Sequence, residues 1–262
     1  MNRHVSVMRL RIAIAAALFM LVIAIAVISC DGIGFTGQIL RQQSPAGIYT
    51  GIFQSTANMQ SPNRMVTGVI SKDFDSHLMI QDMVSQYAGV VSVEGDQLTG
   101  TLTEYLGARA RFFGFGGVRS ITLNGTVSQR DRLFGDYTGE DEGFFGLDYS
   151  AEYERGSSLD QTTGVRTFEM ASSGGAIYNV TLDIAPDGLL FGTDTNGCVF
   201  SGSLGIIDER YNVYRVVVTM SSCDPVDGEY AGLAYRTDTA AGTSLFLFFA
   251  NDSYAFSTKF SQ

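Results

Sequence analysis

From Gly47 to Phe260 the chain is a succession of short apolar stretches cut by glycines and turn dipeptides. This punctuation constrains the fold more than any other feature. An amphipathic helix needs apolar positions recurring every three or four residues over several turns. No stretch after residue 30 offers that at useful length. Two-residue alternation is common instead. Tyr254, Phe256, Thr258 and Phe260 alternate with Ala255, Ser257 and Lys259. Such a strand has one apolar and one polar face, as expected of a sheet wet on one side. Abundant Gly, Thr, Ser, Val, Tyr and Phe suit strands and turns. The expected fold class is all-β, antiparallel, and barrel-like or sandwich-like.

The chain divides into two β modules, residues 47–155 and 156–262. Candidate strands of the first are 48–54, 65–71, 77–81, 90–94, 98–104, 119–123, 126–129, 133–138 and 144–153. Asn124-Gly125 has the chemistry of a two-residue type I′ turn between two of them. Residues 154–175 are dominated by Ser, Thr and Gly and break the rhythm, apart from a possible strand around 165–170. The second module resumes with 177–184, the turn Pro186-Asp187-Gly188, and strands at 189–193, 229–236, 244–250 and 253–260. A G-x-Y-x-G pattern recurs at Gly47–Gly51, Gly135–Gly139 and Gly228–Gly232, a hint of related modules.

The N-terminal segment differs in kind. Arg3, Arg9 and Arg11 precede an uncharged apolar run of 18 residues, Ile12 to Ser29. This is the layout of a secretory signal. The run is also long enough to cross a bilayer, so an uncleaved anchor or an ordinary signal peptide are the alternatives. Its end, Val27-Ile28-Ser29-Cys30, resembles the lipobox of bacterial lipoproteins. That resemblance implies removal of residues 1–29 as a signal-peptide helix and lipidation of Cys30, palmitate included. It also implies a membrane anchor and a body in the periplasm or on the cell surface. Stable anchoring takes more than one acyl chain, which a multiply acylated cysteine supplies. Residues 30–46 then form a flexible tether. Asp31 is the type of residue that favours inner-membrane retention in enteric-type lipoproteins, a rule that varies between groups.

Without the three leader arginines, 14 basic residues face 27 acidic ones, a balance of −13. That acidity disfavours nucleic acid and anionic lipid as partners. With Cys30 assigned to lipid, Cys198 and Cys223 remain in a compartment that permits disulfides. An antiparallel hairpin pairing them would turn near residue 210, where Asp208 to Asn212 supply turn chemistry. The two cysteines would then meet at its open end, closing a loop that stabilises by about 3 to 4 kcal/mol. The stretch from Asn196 to Tyr235, ending in Gly228-Glu229-Tyr230-Ala231-Gly232-Leu233-Ala234-Tyr235, resembles the second module of a group of uncharacterised Gram-negative lipoproteins. That resemblance implies a glycine-rich β module with no assigned activity. A lipidated cysteine, a tether and antiparallel barrels also look like surface lipoproteins that bind host proteins, a likeness of architecture alone.

No catalytic constellation stands out. The mature chain holds one histidine, His77, in an apparent strand and read as a satisfied sheet residue. No nucleophile elbow, zinc-binding helix motif or phosphate loop is present. The acidic run Gly139–Gly143 and the group Asp187, Asp194 and Asn196 could meet a hard cation, but neither has calcium-loop spacing. Arg109, Arg111 and Arg119 surround Phe112, Phe113 and Phe115 in a glycine-rich stretch. This is either a partner-contact loop or, by preference, a hairpin end whose rings cap the core. The expected role is non-enzymatic binding or scaffolding in the cell envelope, at the inner or outer membrane. The ligand would be a protein, a glycan or a small apolar molecule, with no cofactor or metal. The alternatives are a hydrolase working with carboxylates alone and an outer-membrane barrel.

Overall fold

Strand follows strand as the punctuation predicts, and no α-helix occurs among the described residues. The structure, a computed structural model, describes residues 42–56, 63–80, 85–107, 112–113, 117–171, 177–240 and 242–261. The strands of the N-terminal part are β1 (Gly47–Ser55), β2 (Arg64–Ile70), β3 (Asp75–Ile80), β4 (Ser85–Glu94), β5 (Gln97–Leu106), β6 (Phe112–Phe113), β7 (Gly117–Ser128), β8 (Arg132–Thr138) and β9 (Gly143–Ser150). Two 3₁₀ turns follow at Ala151–Arg155 and Leu159–Gln161. The rest are β10 (Gly164–Ala171), β11 (Ile177–Ile184), β12 (Leu189–Asp194), β13 (Val199–Ile206), β14 (Tyr214–Ser221), β15 (Gly228–Thr239), β16 (Gly242–Ala250) and β17 (Ala255–Ser261).

All strands of the N-terminal part except β6 close into one antiparallel barrel. Closure comes from β1, which pairs with β2 on one side and with β9 on the other, from Ile48↔Ser150 to Ser55↔Gly143. The inward positions of each strand carry the apolar residues, so period-two alternation fills the barrel. Phe53 sits at its centre. Its ring lies 5.3 Å from Tyr87, 5.3 Å from Tyr137 and 5.8 Å from Phe145.

The strands β10 to β17 form a second antiparallel meander in chain order, and β6 adds to its β17 edge through Phe113↔Ala255 and Phe112↔Phe256. Within this sheet Cys198 and Cys223 form the expected disulfide, with Cα atoms 4.6 Å apart. They flank the hairpin of β13 and β14, whose ladder ends at Val199↔Ser221.

The outer face of the first barrel packs on the outer face of the second sheet. Ile48, Val69 and Met79 meet Leu233, Tyr235 and Phe248 in one apolar cluster. Polar contacts also cross the joint, among them the ion pair of Arg215 with Asp73 at 3.1 Å. Thr67 and Tyr235 share a hydroxyl hydrogen bond of 3.0 Å, Tyr105 Oη donates to the Asn251 carbonyl at 2.6 Å, and Ser257 Oγ donates to Met79 Sδ at 2.8 Å.

Two sequence expectations change here. Asn124-Gly125 is no turn, since β7 runs straight through it and Gly125 pairs with Gly135. A Cβ at Gly125 would collide with the Phe134 carbonyl and come within 3.0 Å of the Phe145 ring, so glycine there allows close strand approach. The chain turns instead before β8, where Arg130 takes φ 59°. Nor is the second face of β17 wet along its length, although Lys259 at its end is exposed. Ala255 and Ser257 are 0% and 3% exposed because the first barrel covers them.

Candidate functional site

The most distinctive site is the interior of the second barrel. Its inward positions are almost all apolar, from Val180 and Leu182 on β11 to Phe256 and Phe260 on β17. Yet they do not fill it. A cavity is left between Phe168, Val180, Leu182, Leu190, Phe200, Val218, Met220, Leu247, Phe249, Phe256 and Thr258. Its volume is about 30 Å³, room for a water or two, and its walls offer water almost nothing. Thr258 Oγ1 is the exception, a buried hydroxyl oxygen without a hydrogen-bond partner.

The cavity lies beside a seam. β10 and β17 are the ends of the meander and form no ladder with each other among the described residues. Phe168 and Phe260 meet edge-to-face there, with centroids 4.7 Å apart. A ring contact of this kind is worth about 0.5–1.5 kcal/mol beyond burial. It is a far weaker closure than the β1–β9 ladder.

Two positions before Phe168 on the same face of β10 is Arg166. Its Cα partner across the ladder is Leu182, itself part of the cavity wall. Arg166 is 3% exposed. Its Nη2 donates to the Thr162 carbonyl at 3.0 Å, while Nε and Nη1 are buried and donate to nothing. Burial, with the nearby charge of Arg236, holds this guanidinium below the usual arginine pKa.

The first barrel also buries polar groups at one end, but there they satisfy one another. Tyr87 Oη donates to Glu104 at 2.9 Å, and Asp141 accepts from Ser55 Oγ at 2.6 Å and from Tyr137 Oη at 3.3 Å. Arg64 lies 3.9 Å from Asp141. Burial lowers the pKa of Arg64, but Tyr87, Tyr137, Asp141 and Glu104 around it outweigh burial and raise it overall.

The residues singled out from sequence do not converge on one site. Cys30, Arg109, Arg111 and Phe115 lie outside the described residues. Phe112 and Phe113 are strand β6 on the second sheet, and Arg119 is on β7, paired with Glu140 at 2.8 Å. His77 is on a strand as expected, but it is not satisfied. It is buried between the two sheets, its Nδ1 has no partner, and burial lowers its pKa to about 4. The remaining acids serve turns. Asp187 accepts from the Leu189 N–H at 3.1 Å, and Asp194 accepts from the Asn196 and Cys198 N–H groups at 2.8 and 2.9 Å. No group of three potential metal ligands occurs among the described residues.

Sequence reasoning missed Arg166. A signal existed, because Arg166 keeps the inward phase of Phe168 on β10 while Val165, out of phase, is 67% exposed. A charge on the apolar side of a strand marks a buried charge. The fold and the site define an all-β body of two barrel-like sheets with an apolar cavity inside the second. No family model, curated protein or solved structure matches the chain.

Proposed function

We propose that this chain is a lipid-anchored cell-envelope protein whose β body binds a small apolar ligand without chemical turnover. One observation carries the reading: an apolar cavity sits inside the second barrel-like sheet, beside a β10–β17 seam that forms no ladder among the described residues. Concave, mostly apolar sites with a few polar groups are where small ligands bind, and this one, at about 30 Å³, takes a ligand only as the seam opens. The address rests on the leader and Cys30. Its membrane contact is through the acyl chains, and nucleic acid is not a partner of so acidic a body.

The alternatives have less support. For a carboxylate-only hydrolase the nearest candidates are Glu104 and Asp141, which accept hydrogen bonds from Tyr87, Ser55 and Tyr137 at one end of the first barrel, away from the apolar cavity of the second. An integral barrel needs an outward apolar band. The outward positions of β5 and β7 include Thr99, Thr101, Thr122 and Asn124, all exposed.

The test uses the full chain in lipid nanodiscs, with empty nanodiscs as the reference, titrated with methyl-¹³C 1-octanol. A protein-bound methyl resonance is expected, and Val218→Phe, which fills the cavity, should remove it. Absence of that resonance from the unsubstituted protein at millimolar octanol would end the reading.

A further inference from the structure

Resting on the apolar-ligand reading, we infer that the ligand of the second barrel is an amphiphilic anion. Its carboxylate would pair with Arg166 and its aliphatic tail would occupy the cavity lined by Phe168, Leu182, Val218 and Leu247.

The argument starts from an imbalance. A buried charge is normally paired, because removing it from water costs several kcal/mol that only a partner offsets. Arg166 makes one hydrogen bond, to a neutral carbonyl, and leaves Nε and Nη1 without acceptors. Its charged neighbour makes matters worse. Arg236 carries the same sign and already donates to Asp238 at 3.0 Å. Burial and Arg236 both act against the charged form of Arg166, so an anion arriving there relieves both.

The position of Arg166 selects the kind of anion. Its ladder partner Leu182 and its same-face neighbour Phe168 both line the cavity. Arg166 is not itself in the cavity wall, so the head sits beside the cavity and the tail passes Phe168 and Leu182 to enter it. An inorganic anion would use the charge and leave the cavity empty. A neutral alcohol would use the cavity and leave the charge unpaired. An aliphatic carboxylate uses both, through charge-assisted bonds of the kind arginine forms best. Thr258 Oγ1, also without a partner, supplies one more polar contact within the cavity wall. Because the cavity is about 30 Å³ as it stands, the tail has to part Phe168 from Phe260, so the seam is the route of entry.

The test adds [1-¹³C]octanoate to the full chain in nanodiscs and compares it with 1-octanol of equal length. The expected result is a protein-bound carboxyl resonance that stays ionised at pH values where nanodisc-partitioned acid is protonated. Octanoate should also displace octanol with an affinity at least about tenfold higher than octanol's own, the typical gain from a charge-assisted hydrogen bond. Arg166→Met should weaken octanoate binding at least about tenfold more than it weakens octanol binding. Arg166→Lys, which keeps the charge, should retain part of the preference and guards against a folding defect in the methionine variant. Equal affinities for octanoate and octanol would overturn this inference and leave the apolar reading standing. An octanoate preference that survives in Arg166→Met would overturn the role of Arg166. Binding of neither probe would overturn both.

Discussion

The two barrels are built from the same kind of strand and differ in how they are closed and filled. The first is sealed by a full ladder between β1 and β9, and aromatic rings packed around Phe53 occupy its centre. Its arginine at that end, Arg64, is part-exposed and has two carboxylates near it. Among the described residues the second has no closing ladder, keeps a cavity beside its seam, and buries Arg166 with no carboxylate partner. The first barrel pairs the polar groups at one end of its interior, while its outward Gln86 and His77 keep buried atoms without partners; the second leaves a charge, Arg166, without a carboxylate. Native cores are close-packed and buried charges are paired, so such departures tend to fall where a protein has a use for them.

The largest effect that could break this contrast lies in the cores. Phe53→Ala removes a ring that is 1% exposed and surrounded by three others, and it should cost about 3–5 kcal/mol. Phe168→Ala removes a half-buried ring next to an existing void and should cost under about 2 kcal/mol. Urea unfolding followed by circular dichroism measures both, since the chain has no tryptophan. Equal costs would mean that the second barrel is packed as tightly as the first.

The second sheet has a covalent crosslink within its β13–β14 hairpin, and the first barrel has no cysteine. Replacing Cys198 and Cys223 with alanine should cost about 3–4 kcal/mol on the chain-entropy account. The comparison is between thermal melts of the double variant and of the unsubstituted protein with and without a reductant. A loss below about 1 kcal/mol would show that the meander does not depend on its disulfide.

How much of this was legible in the sequence depends on what the sequence encodes locally. The disulfide hairpin was readable, because cysteine spacing, a polar turn and flanking apolar runs all lie within one short stretch. So was β11, where the expected limits 177–184 are those observed. Asn124-Gly125 misled, since a turn dipeptide and a glycine that permits close strand approach look alike until Gly135 is placed opposite. The dry face of β17 misled for a related reason. Ala255 and Ser257 read as a wet face unless another barrel is known to lie on them. The G-x-Y-x-G copies proved local as well. Tyr49 donates to the Pro45 carbonyl and Tyr230 to the Val226 carbonyl, each four residues back, while Tyr137 donates forward to Asp141. They fall on β1, β8 and β15, which are not corresponding strands of the two meanders. Arg166 carried a phase signal, but its lack of a partner is a property of three dimensions.

The joint between the barrels makes a pH prediction. His77 is buried there with its pKa lowered from 6.5 to about 4 by desolvation. Between those values the unfolded chain binds a proton that the folded one does not, so stability falls as pH drops through that window and is complete above it. The loss should approach about 3 kcal/mol at pH 4. Other groups titrate in the same range, so the measurement is the difference between the unsubstituted protein and His77→Leu, which lacks this term. Identical pH profiles would mean that His77 is hydrated in solution.

The smallest effect asks whether the barrels act as one body. Tyr235 is 2% exposed, stacks on Phe246 at 4.9 Å, and its hydroxyl bonds to Thr67 across the joint. Tyr235→Phe keeps the ring and removes only that bond, leaving the Thr67 hydroxyl without its partner. The expected cost is about 1 kcal/mol. If Ile48, Val69, Met79, Leu233 and Phe248 hold the joint by apolar burial, the variant should still unfold in a single transition, with the midpoint lowered and the slope unchanged. Two separated transitions in Tyr235→Phe would mean that the joint depends on its polar pins. The second barrel's looseness would then be uncoupled from the first barrel's rigid core.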